Sequence, residues 1–190
     1  MLNVKITVNG VSARIPYDQI DNLVYSIPDE SRHNDVIAEL ARSTHPHVRM
    51  AVASRDTLDR KIVSILVEDT QIDVLRNLVS NSRARMFITE TCLLRLIKTE
   101  DHDILVTVAE NLDSFPHCDE DVLAEKLARM DNPVIRGILA ENVSVSRQVL
   151  EQLSHDEDED IAEKAADSLE RALEEESDEE EEELEDDEDD

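Results

Sequence analysis

The stretch Val36-Ile37-Ala38-Glu39-Leu40-Ala41-Arg42-Ser43-Thr44-His45-Pro46 returns as Val122-Leu123-Ala124-Glu125-Lys126-Leu127-Ala128-Arg129-Met130-Asp131-Asn132-Pro133, with one residue inserted. The residues after each proline also match. Val48-Arg49-Met50-Ala51-Val52-Ala53-Ser54-Arg55 stands against Ile135-Arg136-Gly137-Ile138-Leu139-Ala140-Glu141-Asn142. Looser copies lie at residues 74–81, 104–111 and 161–166. Aligned on Val52, Leu78, Val108, Leu139 and Ala165, the copies are spaced by 26, 30, 31 and 26 residues. A period in this range is the mark of a stacked repeat array, in which no unit can bury its apolar face alone.

Each unit reads as a short helix, a polar link and a longer helix. In the short helix the first and fifth apolar positions, such as Val48 and Val52, fall on one face. The small residue that comes next (Ala53, Ala109, Ala140, Ala166) lets neighbouring turns approach closely. The second helix carries Ile62/Val63 with Leu66, Leu93/Leu94 with Ile97, Val122/Leu123 with Leu127, and Val149/Leu150 with Leu153. Acidic residues open the next unit at Asp69, Asp101, Asp131 and Asp156. An Asp near a helix start accepts hydrogen bonds from the unpaired N–H groups there and suits the positive end of the dipole.

The text from His45 to Ser54, and again from Asn132 to Leu153, resembles the leucine-rich repeat variant family, whose units are similar to HEAT and armadillo repeats. The resemblance covers roughly residues 35–173. It implies paired helices wound into a right-handed α-α superhelix, a solenoid. Some members of that family resemble metalloproteins with a cysteine cluster ahead of the repeats. The N-terminal segment here has no cysteine, so an iron–sulfur site does not carry over.

The chain divides into three segments. In residues 1–16, Val4, Ile6 and Val8 alternate with polar residues, then Asn9-Gly10, then Val11, Ala13 and Ile15. Asn-Gly between alternating runs predicts a β-hairpin with a type I′ turn, ended by Pro16. An isolated hairpin is marginal in water, so it must pack on the helices or pair with another chain, and packing within the chain is the ordinary expectation. Residues 17–173 form the mainly α repeat domain of about five units. Residues 174–190 hold 15 acidic groups and no basic one. Such a block repels itself and buries too little apolar surface to fold, which predicts a disordered acidic tail.

The formal net charge is −28, with no Trp and only two Gly. The acidity is uneven. Residues 49–98 carry net +3, residues 99–173 net −14 and the tail net −15. The overall charge argues against general DNA or RNA binding and favours solubility and basic partners. The start alternates, unlike a signal peptide, and no apolar run approaches the roughly 18 residues of a membrane span. These features read as a soluble cytoplasmic protein with no membrane partner.

Chemistry-bearing motifs are sparse. Cys92 and Cys118 lack zinc-type spacing and read as buried reduced thiols. His45, His47 and His117 sit in links. His117, Cys118, Asp119 and Asp121 form a conceivable ion-binding set, but a metal needs three or four convergent ligands, and solvated link residues are the simpler account. Glycine-rich phosphate loops and nucleophile motifs are absent from the sequence. The expectation is therefore no enzyme and no cofactor.

The central basic segment is the candidate partner-binding site, with Arg49, Arg76, Arg83, Arg85, Arg95 and Lys98, joined by Arg55, Arg60 and Lys61. It would dock an acidic segment of a protein partner, or the chain's own tail, whose root-mean-square reach is about 20–25 Å. The leading functional expectation is a protein–protein interaction scaffold or adaptor. An acidic chaperone or nucleic-acid mimic for a basic partner is the alternative. A HEAT-like protein acting on nucleic acid comes last, since base stacking wants aromatics.

Overall fold

The computed structural model describes residues 4–16, 19–142 and 145–186, with side chains for all of these except 21, 22 and 174–186. The chain is mainly helical behind a small N-terminal hairpin. Strands β1 (Lys5–Val8) and β2 (Val11–Arg14) pair antiparallel, with Ile6 opposite Ala13 and Val8 opposite Val11. Asn9 (φ 50°) and Gly10 (φ 82°) supply the two positive φ angles that a type I′ turn demands.

The helices divide between two compact units. Residues 1–107 and 113–118 form the first. It holds α1 (Ile20–Ser26), α2 (Asn34–Leu40), α3 (Pro46–Ala53), α4 (Arg60–Leu66), α5 (Ile72–Ser80), the short α6 (Ser82–Arg85) and α7 (Glu90–Ile97). Helix α8 (His102–Glu110) runs across the division. The second unit holds α9 (Glu120–Ala128), α10 (Pro133–Ala140), α11 (Arg147–Leu153) and α12 (Glu159–Asp186).

The packing within each unit alternates between helices. In the first, α3 packs on both α1 and α5, while α2 packs on α4. First helices therefore neighbour first helices and second helices neighbour second helices, but the second helix is not the longer one: α3 has eight residues and α4 seven, α10 eight and α11 seven. In the second unit α10 packs on α12 and α9 on α11, the same alternation.

The sequence explains why these helices start where they do. Pro46 and Pro133 occupy the first turn, where a missing N–H costs nothing. Asp59, Asp119 and Asn132 cap α4, α9 and α10 through their side-chain oxygens. Asp69, Asp101 and Asp156 each accept a backbone N–H, from Gln71, Ile104 and Asp158. Asp131 departs from the expectation. It is exposed, and its neighbour Asn132 caps the helix instead, because Asn132 is the residue held in extended conformation.

The core matches the predicted positions closely. Val48, Val52, Ile62, Val63, Leu66, Leu93, Ile97, Leu123, Leu127, Val149, Leu150 and Leu153 are all buried. Ala53, Ala109 and Ala140 have no exposed surface. Leu94, expected in the core beside Leu93, is half-buried, and two predicted positions turn outward. Val122 lies one residue before the buried stripe of α9 and is exposed, and Ala166 is exposed while Ala165 carries the contact.

Two features stand at the ends. The hairpin does not bury its apolar face, since all eight strand residues are exposed. The backbone of α12 runs through the start of the acidic segment to Asp186. Glu is a good helix former, and a packed turn at residues 159–173 removes the cost of nucleation.

Candidate partner-binding surface

Arg49 stands four residues after His45, the N-terminal cap of α3. Its guanidinium donates Nη2 to Asp69 Oδ1 at 2.8 Å, Nε to Asp69 Oδ2, and Nη1 to the Ser43 carbonyl at 2.7 Å. The same Asp69 Oδ1 accepts the Gln71 N–H. One arginine thus joins the link before its own helix to the link that leads into α5. Arg136, four residues after Asn132, repeats this. It donates Nε to Asp156 Oδ2 at 2.7 Å, Nη2 to Asp156 Oδ1 at 3.1 Å and Nη1 to the Met130 carbonyl at 3.1 Å. In both cases the Asp lies 20 residues on and the carbonyl six residues back. Arg76 makes a variant of the clasp with Asp101, reinforced by Asp73 and Asp103.

The electrostatics reflect the geometry. Burial pushes the Asp69 carboxyl up, but the Arg49 hydrogen bond and backbone N–H groups outweigh it and hold the group below its ordinary range. The Arg76 hydrogen bond lowers Asp101, and the Arg136 hydrogen bond lowers Asp156. The arginines shift upward in turn.

These clasps change what the central basic residues do. Arg49 and Arg76 are engaged with carboxylates of the chain itself. Arg95 donates to Glu68 at 2.6 Å and to the Val67 carbonyl at 2.8 Å. Arg83 lies over the Phe87 ring, 5.0 Å from its centre, and donates to the Leu58 carbonyl. Arg85 is half-buried and donates to the Val79 carbonyl. Lys98 is exposed and carries no ion pair among the described residues. Lys61 pairs with Asp35. Of the arginines named from sequence, Arg55 is the most buried, at 7% exposed. It donates to the carbonyls of Val24, Ile27 and Pro28 at the end of α1.

Sequence reading missed a second connector. Asn81 donates to the carbonyls of Ala53 and Arg55 at the end of α3, while its Oδ1 caps α6. Arg55 and Asn81 come after their short helices at the same aligned position, and Asn111 and Asn142 stand there too. That recurrence was the available signal.

The ends of α3 and α5 and the start of α6 border a cleft of about 310 Å³, lined by Ser54, Asp56, Asn77, Ser80, Asn81 and Ser82. Asn77 donates to Ser54 Oγ at 3.3 Å, and that hydroxyl donates to the Met50 carbonyl. The lining is hydroxyl and amide with one carboxylate. Such groups offer donors and acceptors in the mixture that a polypeptide backbone needs.

Other candidates read differently. Cys92 and Cys118 are free and partly buried. Burial, helped by Glu90 and Cys92, pushes the Cys118 thiol up to about 11, which keeps it protonated and weakly nucleophilic at neutral pH. His117 faces Arg60 at 3.5 Å. Among the described residues no three His, Cys, Asp or Glu side chains converge in a way that could hold a metal ion. Nor is any described helix long and apolar enough to cross a membrane. Compared with known proteins, the chain matches no family, no curated protein and no solved structure.

Proposed function

We propose that the chain is a cytoplasmic protein–protein interaction scaffold or adaptor, built as a right-handed superhelix of HEAT-like units of the leucine-rich repeat variant kind. The observation that carries this reading is the polar cleft at the ends of α3 and α5. Arg55 and Asn81 tie the short helices of the first unit to one another, so the cleft sits on a fixed platform. Repeat arrays present extended surfaces of this sort to peptides and domains.

The test is capture from cell extract on the immobilised full chain, at 0.15 M salt and at about 0.5 M, where screening is severe. A scaffold retains the same discrete proteins at both. Ser80→Trp, at an exposed helix end, fills the cleft and should release them. Retention unaffected by Ser80→Trp would refute the cleft as the site.

A second reading has its own observation. Helix α12 and the acidic block it enters concentrate negative charge along one element. As an acidic chaperone for a basic partner, the chain would retain basic proteins that elute at the higher salt and are lost when residues 174–190 are removed.

A further inference from the structure

Among the described residues the hairpin keeps an exposed apolar face, two unpaired edges and a charge with no carboxylate partner. Strand residues alternate between faces. Ile6, Val8, Val11 and Ala13 share one face, with Ile6 50%, Val8 63% and Val11 76% exposed. Thr7 and Ser12 share the other, joined by a 2.8 Å hydroxyl contact, with Lys5 and Arg14. Ile6, Ala13 and Arg14 border a cavity of about 410 Å³ together with Leu23 and Ser26 of α1. That is room for more than one side chain.

The edges are defined by the hydrogen-bond alternation. The Ile15 N–H bonds the Val4 carbonyl at 3.0 Å. Val4/Ile15, Ile6/Ala13 and Val8/Val11 are therefore the bonded pairs, and the backbone groups of Lys5, Thr7, Ser12 and Arg14 point outward. The sheet has two strands, so both rows are unpaired among the described residues. A third strand is what a marginal hairpin of this kind lacks.

Charge identifies the occupant. Lys5 and Arg14 stand directly opposite each other, and like charges in that position destabilise a strand pair. Neither has a carboxylate partner among the described residues, and residues 4–16 contain no Asp or Glu. In a chain of net charge −28 this is a local +2 segment. A second copy of the hairpin would add two more cations to the sheet. We infer that the hairpin docks an extended strand of a partner protein whose residues alternate apolar and acidic. The acidic side chains meet Lys5 and Arg14, the apolar ones cover Ile6 and Val8, and the backbone extends one edge of the sheet.

This rests on the scaffold reading and names the partner's chemistry at a second surface. The probe is a fluorescein-labelled decapeptide alternating Val and Glu, titrated against the full chain by anisotropy, beside one alternating Val and Lys. The charge of the whole chain favours the Lys peptide, so binding of the Glu peptide has to come from the hairpin. The expected result is saturable binding of the Glu peptide that falls at least tenfold in Lys5→Gln/Arg14→Gln, with Lys-peptide binding unchanged. One of Thr7→Pro and Ser12→Pro, each removing a single outward N–H, should lower it similarly. The helical circular dichroism should hold in every variant, because no strand residue is in the core. Absent binding, binding untouched by all these variants, or a hairpin-dependent dimer in sedimentation would overturn the inference. The Ser80→Trp cleft variant should bind the Glu peptide normally, so failure of the cleft and failure of the hairpin are read separately.

Discussion

Arg136 and Asp156 face each other as a bidentate pair, two nearly parallel N–H···O bonds, with their side chains only 10% and 7% exposed. Removing one partner of a buried pair leaves an uncompensated charge. Asp156→Ala should cost about 3 kcal/mol or more of unfolding free energy, measured by urea denaturation followed at 222 nm. Arg129→Ala breaks the exposed pair with Glu125 and should cost under about 1 kcal/mol. The double variant Arg136→Met/Asp156→Leu should recover most of the loss, since a buried pair replaced by apolar residues of similar size is often neutral.

The lowered carboxyls of Asp69, Asp101 and Asp156 give the fold a pH dependence of known sign. A carboxyl held below its unfolded value stabilises the fold above that value, about 3.9 for Asp. The contribution is complete at neutral pH and is lost as pH falls through about 4 toward the lowered folded values. Thermal melts between pH 6 and pH 3 should therefore show a smaller acid loss in Arg136→Met/Asp156→Leu than in the parent chain. Equal losses would mean the clasp does not set the acid sensitivity.

Asn81 satisfies two carbonyls at the end of α3 and two N–H groups of α6 with one side chain. Asn81→Ala leaves these groups without partners and should cost about 1–3 kcal/mol. Hydrogen exchange should localise the effect, with faster exchange at residues 53–55 and 82–85 and little change in α10 and α11.

The acidic end of α12 should respond to acid in the opposite sense to the clasps. Like charges spaced at i and i+4 oppose a helix, and protonation removes them. Comparison of the full chain with one ending at Leu173 isolates residues 174–190. Their contribution to helical ellipticity should rise when pH drops from 7 to 4, or when salt is raised. A contribution that stays constant would show that repulsion does not govern this segment.

Much of this architecture is legible in the sequence, and the exceptions share a physical cause. Periodicity locates Val48, Val52, Ile62 and Leu150 in the core because burial imposes a spacing. Asn9-Gly10 announces the hairpin because few residues tolerate two positive φ angles in succession. Periodicity carries no information on pairing across 20 residues. Arg49 therefore reads as a free cation until Asp69 is seen against it. Arg76 is obscured further, because α5 begins one residue earlier relative to its arginine than α3 does. Alternation along β1 and β2 implies an apolar face but not what covers it, and the expectation that the helices would bury it fails for that reason. The cleft was not legible at all, since Ser54, Asn77 and Ser80 are ordinary helix-end residues that only the packing of α3 on α5 brings together.

A polypeptide partner seated at that cleft is the central claim. The most direct measurement is hydrogen exchange of the full chain alone and with a protein it retains at high salt. Slowed exchange at residues 54–56 and 77–82 is the predicted result. Slowed exchange confined to residues 159–186, with the cleft unchanged, would contradict it.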